Sequence, residues 1–171
     1  MHSKEVVTEH LRNQQIYFGT SPDLFHFGFE LDNCFANCVL QALECSVRLA
    51  IDGVKCPEGR IGELSRFALA ANLDTSGGRF DLDERSGRFS FVNEIHFCPG
   101  DLADGIVNQL ISKTIYDYDR FLPGAMKVMY GEEDALKAAE DCKRLISAVD
   151  VQEIEWSDTM DRLMGSDEGL D

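Results

Sequence analysis

The chain has 171 residues, 44% of them hydrophobic, and a formal net charge of −15 at pH 7. A chain of this length suits one domain, or one domain with an appendage, and buries roughly 70% of its unfolded surface, so neither a disulfide nor a metal is needed to hold a core. No run of lysine or arginine offsets the acidity, which argues against nucleic-acid backbones and anionic membrane surfaces as partners, and no apolar stretch approaches the roughly 20 residues that span a bilayer. The start, MHSKEVVTEHLRNQQ, lacks the basic and then apolar pattern of a signal peptide. The expected location is therefore the cytoplasm, with the six cysteines as reduced thiols.

Ser3 to Asn13 is predicted as a short helix, with Ser3 as N-cap and Val7 and Leu11 on one face. Alone it would not hold in water, so it must dock. After the turn signal Ser21-Pro22-Asp23, Phe25, Phe27, Phe29 and Leu31 alternate with His26, Gly28 and Glu30, the pattern of a half-buried antiparallel strand. Two more strands fit between Phe35 and Ile51, parted near Glu44, and Asp52-Gly53 is expected to close this meander. Pro57 opens a helix running to Asn72, with Ile61, Leu64, Phe67, Ala68 and Ala71 on one face.

Gly77-Gly78 ends that helix's corner, and a hairpin follows: Phe80 and Leu82, a loop at Glu84 to Gly87, then Phe89, Phe91, Ile95 and Phe97 on one face. Asp101 is the expected N-cap of a long helix that Pro123-Gly124 should kink or break. Beyond Gly131 a last helix carries Ala135, Ala139, Cys142 and Ile146 as a narrow stripe. From Asp150 onward eight acidic residues face Arg162 alone, the composition of a solvated tail. Yet Trp156, Met160, Leu163 and Met164 fall at i, i+4, i+7 and i+8, the apolar edge of a short helix that could dock on its own domain or on a second chain.

The proline-led helix CPEGRIGELSRFALAANL, the corner and hairpin GGRFDLDERSGRFSF and the closing YDYDRFLPGAMKVMYG resemble the YbjN family of bacterial proteins. That family shares the fold of type III secretion chaperones. The resemblance spans roughly residues 3 to 131 and concerns packing and turns. It implies an α+β fold in the order α-β-β-β-α-β-β-α, frequent self-association, and a proposed role in sensory regulation or protein binding, with no catalytic residues to carry over. The expected architecture is one antiparallel sheet of about five strands with helices mainly on one face. Residues 1–131 form the α+β domain, and 132–171 a helix and acidic tail.

Little in the sequence points to chemistry. Cys34 and Cys38 have metal-like spacing, but no second Cys/His pair follows, and buried small thiols are the plainer reading. His26 and His96 lie on predicted strands, where they could meet across the sheet; a surface or satisfied histidine is the plainer reading. DLDERSGRF lacks the Asp or Asn and the glycine that a calcium loop needs at its fifth and sixth places, which here hold Arg85 and Ser86. No phosphate loop or nucleophile elbow occurs. The leading reading is a non-catalytic, homodimeric protein-binding or regulatory module without cofactor or metal, presenting an apolar groove or sheet face to a protein or peptide. Gly62, Phe67, Leu69 and Ala70, flanking the stripe of the Pro57 helix, are expected to meet a second subunit or another helix. The alternatives are an enzyme with an unrecognised small-molecule site, or a cysteine-based metal or redox protein.

Overall fold

A computed structural model of the chain describes residues 2–32, 34–131 and 133–147. In order the elements are α1 (His2–Asn13), β1 (Gly19–Ser21), β2 (Leu24–Glu30), β3 (Phe35–Ala42), β4 (Ser46–Lys55), a 3₁₀ turn (Glu58–Arg60) leading into α2 (Ile61–Ala71), β5 (Gly78–Asp83), β6 (Arg88–His96), α3 (Asp104–Tyr130) and α4 (Ala135–Ser147). The strands form one antiparallel sheet in the order β1-β2-β3-β4-β6-β5.

Alternation fixes which face of this sheet is buried. Phe25 and Phe27 pair with Leu40 and Cys38, these with Leu49 and Ile51, and Ile51 with Phe91, which pairs with Phe80. All of these lie on one face and are buried, because side chains two apart on a strand share a side. The helices cover that face: Val7 and Leu11 of α1, Leu64, Phe67, Ala68 and Ala71 of α2, and Val107, Leu110, Tyr118, Phe121 and Val128 of α3 join the same core. The opposite face, with His26, Arg48, Glu94 and Arg79, faces solvent.

Two glycines in the sheet are roofed by a phenylalanine from the neighbouring strand. A Cβ on Gly28 would lie 2.4 Å from the Phe35 ring, and one on Gly78 would lie 2.4 Å from the Phe91 ring. An aromatic ring laid over a bare strand glycine restores packing that the glycine lacks.

Several expectations are corrected by tertiary packing. A sixth strand, β1, lies at the sheet edge; its three residues are all exposed, so no apolar alternation marks it. Asp52-Gly53 does not close the meander but forms a bulge within β4, where a Cβ on Gly53 would come within 1.6 Å of the Phe89 carbonyl oxygen. The long helix starts at Asp104 rather than behind Asp101, since Cys98 to Asp101 form a turn with Gly100 at φ +88°. It then runs through Pro123 to Tyr130. Proline in a helix interior costs about 3 kcal/mol, but Phe121, Leu122 and Val128 around it are buried, and each such side chain returns roughly 1.5–3 kcal/mol.

The boundary after residue 131 falls between two helices that share one core. Ala135, Ala138, Ala139 and Cys142 of α4 are buried against α2 and α3. Asp134 caps α4, its Oδ1 accepting the backbone N–H groups of Leu136 and Lys137 at 3.1 and 3.0 Å. Arg60 closes the other side: its Nε donates to the Val128 carbonyl, one of the last in α3, at 2.8 Å. Gly124 allows the close approach, because a Cβ there would sit 2.6 Å from Cys142 Sγ, 2.9 Å from Phe67 and 3.0 Å from the Ala138 carbonyl.

Two stability measurements test this packing. Leu64→Ala, in the fully buried face of α2, should lower the free energy of urea unfolding by about 2–5 kcal/mol. Gly124→Ala should cost about 1–3 kcal/mol by forcing α4 outward; a neutral result would mean that α4 does not seat as described.

Candidate functional site

The outer surface of α2 is where the apolar pattern exceeds what the core consumes. Leu64, Phe67, Ala68 and Ala71 point inward, whereas Gly62, Arg66, Leu69 and Leu73 fall on the opposite ridge at helical spacing. Leu69 is 71% exposed and Leu73 84% exposed. Most large apolar side chains on α2 could have been absorbed, as Phe67 is at 0% exposure, so two open leucines one turn apart form a surface feature of the fold.

α4 borders this ridge and runs in the same direction as α2. At the start, the Arg60 guanidinium donates to the Glu133 carbonyl at 3.4 Å. At the end, Lys143 Nζ lies 2.5 Å from Asp74 Oδ2, just past α2. Leu136, Glu140 and Lys143 occupy i, i+4 and i+7 of α4, so the edge that meets Asp74 also carries Leu136, 62% exposed. Leu69 and Leu73, on and just past α2, and Leu136 on α4 are thus the large apolar side chains that these two parallel helices leave exposed among the described residues.

The residues expected from sequence separate accordingly. Gly62 and Leu69 are exposed on the ridge, Ala70 is half-buried, and Phe67 is in the core with its ring 6.4 Å from those of Phe80 and Phe89. Phe67 therefore serves packing in this chain. Leu73 and Leu136 were not singled out from the sequence, although Leu73 repeats Leu69 one turn later. Trp156, Met160, Leu163 and Met164 lie outside the described residues.

The other constellations are structural. His26 and His96 stand on β2 and β6, which β3 and β4 separate; His26 Nε2 is instead 3.3 Å from Ser21 Oγ, and His96 Nε2 is 3.9 Å from Glu94 Oε1. Cys38 is on the core face of β3, where burial pushes its thiol up to about 12. Burial likewise raises Cys34, Cys56 and Cys142, which disfavours the thiolates that metal binding or redox exchange require. Among the described residues no group of His, Cys, Asp or Glu is placed to hold a metal ion. In the β5–β6 hairpin, Asp83 accepts the Ser86 hydroxyl at 2.6 Å and the Arg85 N–H at 3.0 Å, while Gly87 takes φ +69°. These bonds hold the Asp83 carboxyl below its usual range and close the loop on itself. A cavity of about 470 Å³ lies on the outer face of α1, lined by Lys4, Glu5, Thr8, Glu9, Arg12 and Asn13 of that helix alone.

One buried carboxylate joins the site to the core. Asp117 of α3 is fully buried, and its Oδ2 accepts the Ser76 N–H at 2.7 Å and the Ser76 hydroxyl at 2.9 Å. It thereby ties the corner after α2 to α3. Burial raises its pKa, against the Ser76 hydrogen bonds and the nearby Arg120 and Lys113 charges, and its Oδ1 has no hydrogen-bond partner.

No family model and no curated protein matches the chain. Solved structures do. The architecture is that of an α+β protein with a six-stranded antiparallel sheet backed by helices. YbjN from E. coli has this fold at a TM-score of 0.54, with 9% identity over 70% of this chain and 91% of that one. An uncharacterised protein from Methanothermobacter thermautotrophicus matches at a TM-score of 0.50, with 13% identity over 74% of this chain and 99% of that one. A looser likeness, at a TM-score of 0.48 and 16% identity over 70% and 91%, is to a chain of the HopA1–SchA chaperone–effector complex. The YbjN resemblance read from the sequence thus holds at the level of fold.

Asp117 yields a prediction with a defined sign. Asp117→Ala should cost about 1–3 kcal/mol by leaving the Ser76 donors unpaired. Because the folded-state pKa is raised, the group's contribution is full below the usual carboxylate range and is lost as pH rises through the folded value. In unfolding measured across that range, Asp117→Asn should therefore gain on the wild type as pH rises and then level off. A constant difference between the two proteins would contradict the burial of a charged carboxylate.

Proposed function

We propose that this protein is a non-catalytic binding module that engages a partner protein or peptide through the outer face of α2 and α4. The observation that carries this is the pair Leu69 and Leu73, open one turn apart on a helix whose inner face is fully packed, with Leu136 also exposed on the parallel helix. Exposed apolar side chains on a held helix are the form of surface that receives the apolar face of an amphipathic segment. The fold shared with YbjN favours this reading over an enzyme, and burial, which raises the Cys38 and Cys142 thiols, argues against those two as redox or metal-binding thiolates. No helix among the described residues is long and apolar enough to cross a membrane, and we place the chain in the cytoplasm. The homodimer that the YbjN resemblance implies would form through the same ridge, where Gly62 and Leu69 lie in the open.

The test is capture of cytoplasmic proteins by the full chain and by a Leu69→Asp, Leu73→Asp variant. A partner that uses this face should bind the variant roughly thirtyfold less tightly, about 2 kcal/mol, while circular dichroism stays unchanged because both leucines are exposed. Partners retained equally by both proteins would place binding elsewhere. Light scattering of the same two proteins decides the dimer: a wild type that stays monomeric at high concentration removes it.

A further inference from the structure

We propose that Cys45 and Cys98 form a thiol pair that a peroxide converts reversibly into an intramolecular disulfide, a modification site at one end of the sheet. It does not rest on the proposed binding face.

The thiols of this chain fall into two groups. Cys38, Cys56 and Cys142 are buried and Cys34 is half-buried, whereas Cys45 and Cys98 are exposed. These two are far apart in sequence, yet the fold brings their backbones together. β4 and β6 pair from Ser46 and His96 onward, and the Phe97 N–H extends the ladder by one rung, donating to the Cys45 carbonyl at 2.9 Å. Cys98 is the next residue. With strands about 4.8 Å apart and a rise of about 3.4 Å per residue, continuing the ladder one step puts its Cα about 6 Å from that of Cys45. Disulfides join Cα atoms roughly 4.4–6.8 Å apart. Cys34 stands at the other end of β3, where its carbonyl accepts the Leu31 N–H.

Alternation along a strand would send the two side chains to opposite faces, but neither residue lies in a strand. Cys45 belongs to the turn between β3 and β4, closed by the Leu43 N–H on the Ser46 carbonyl at 2.9 Å. Cys98 follows the end of β6 and opens a turn of its own, its carbonyl accepting the Asp101 N–H at 3.0 Å. Backbone hydrogen bonds therefore hold both positions, and strand alternation does not set the direction of either thiol.

The chemistry needs only a peroxide and two accessible sulfurs. One thiolate attacks a peroxide oxygen, the O–O bond breaks, and hydroxide departs to become water, leaving a sulfenic acid. The second thiolate attacks that sulfur, the S–O bond breaks, and hydroxide leaves again as water while the S–S bond forms. The sulfurs lose two electrons and the peroxide gains them; a dithiol reductant reverses the step by exchange. The disulfide encloses residues 46–97, which include α2, β5 and β6, and so restricts the unfolded chain.

The test uses the full chain with hydrogen peroxide as the probe. Alkylation in denaturant should trap six thiols before treatment and four after it. Peptide mass spectrometry should find the Cys45 and Cys98 peptides linked on a monomeric chain, and dithiothreitol should restore all six thiols. Oxidation should also raise the urea midpoint. Cys45→Ser and Cys98→Ser should each abolish both the link and the rise, with circular dichroism unchanged because both residues are exposed. Four outcomes would overturn the proposal: Cys45 and Cys98 oxidised separately to sulfenic or sulfinic acids, a bond between two chains, a bond to another cysteine, or a link that lowers the midpoint because the fold must distort to make it. None of these readings involves partner capture, so the binding function stands or falls separately.

Discussion

The structure depends on the ring of Phe80. From the edge strand β5 it stacks on Phe89 at 5.0 Å and meets Phe91 edge-on at 4.7 Å, while Phe67 of α2 and Tyr118 and Phe121 of α3 surround it at 6.1 to 6.4 Å. Aromatic pairs in these geometries add to the area they bury. An edge strand is the weakest part of a sheet, and here its side chain lies at the junction of both helices with the strands. The backbone reinforces the same place: Asn72, at the end of α2, accepts the Phe80 N–H at 2.7 Å and donates to the Phe80 carbonyl at 3.1 Å. Ser76 on Asp117 then fixes the intervening corner to α3.

This clamp explains why α2 has a free side. Its inner face is committed to Phe80 and the sheet, its flank to α4, and its end to β5 through Asn72. What remains is a ridge that cannot turn inward without breaking those contacts. Leu69 and Leu73 are exposed because the helix is held, and a rigid helix presenting apolar side chains is a surface on which another helix can settle without reorganising the fold. The same holds at α4, whose alanines and Cys142 sit tightly on Gly124 and leave Leu136 outward.

Much of this architecture was legible because burial on one face writes itself into the chain. Phe25, Phe27 and Phe29 announce a half-buried strand, and Leu64, Phe67, Ala68 and Ala71 an amphipathic helix. The failures share a cause: they concern features set by partners distant in sequence. β1 buries nothing, so it leaves no pattern. Gly53 reads as a turn, yet it is small because the Phe89 backbone passes over it. Pro123 reads as a break, yet the helix is held by what Phe121 and Leu122 pack against. Asp117 reads as one more solvated acid in YDYD, and only the fold shows that it is buried on Ser76. For the site, Gly62 and Leu69 could be found as residues off the stripe, whereas Phe67, which lies on the stripe by its spacing, belongs to the core and not to the outer face. Leu136 gained meaning only when α4 was seen beside α2.

The central claim is that the protein binds its partner through the exposed outer ridge of α2. Amide hydrogen exchange on the full chain, alone and with a partner captured from the cytoplasm, tests it most directly, residue by residue. The account predicts slowed exchange in α2 and the corner after it when the partner is bound, and no such slowing in the Leu69→Asp, Leu73→Asp variant at the same partner concentration. Slowing confined to other elements, or slowing of α2 that survives the loss of both leucines, would contradict it.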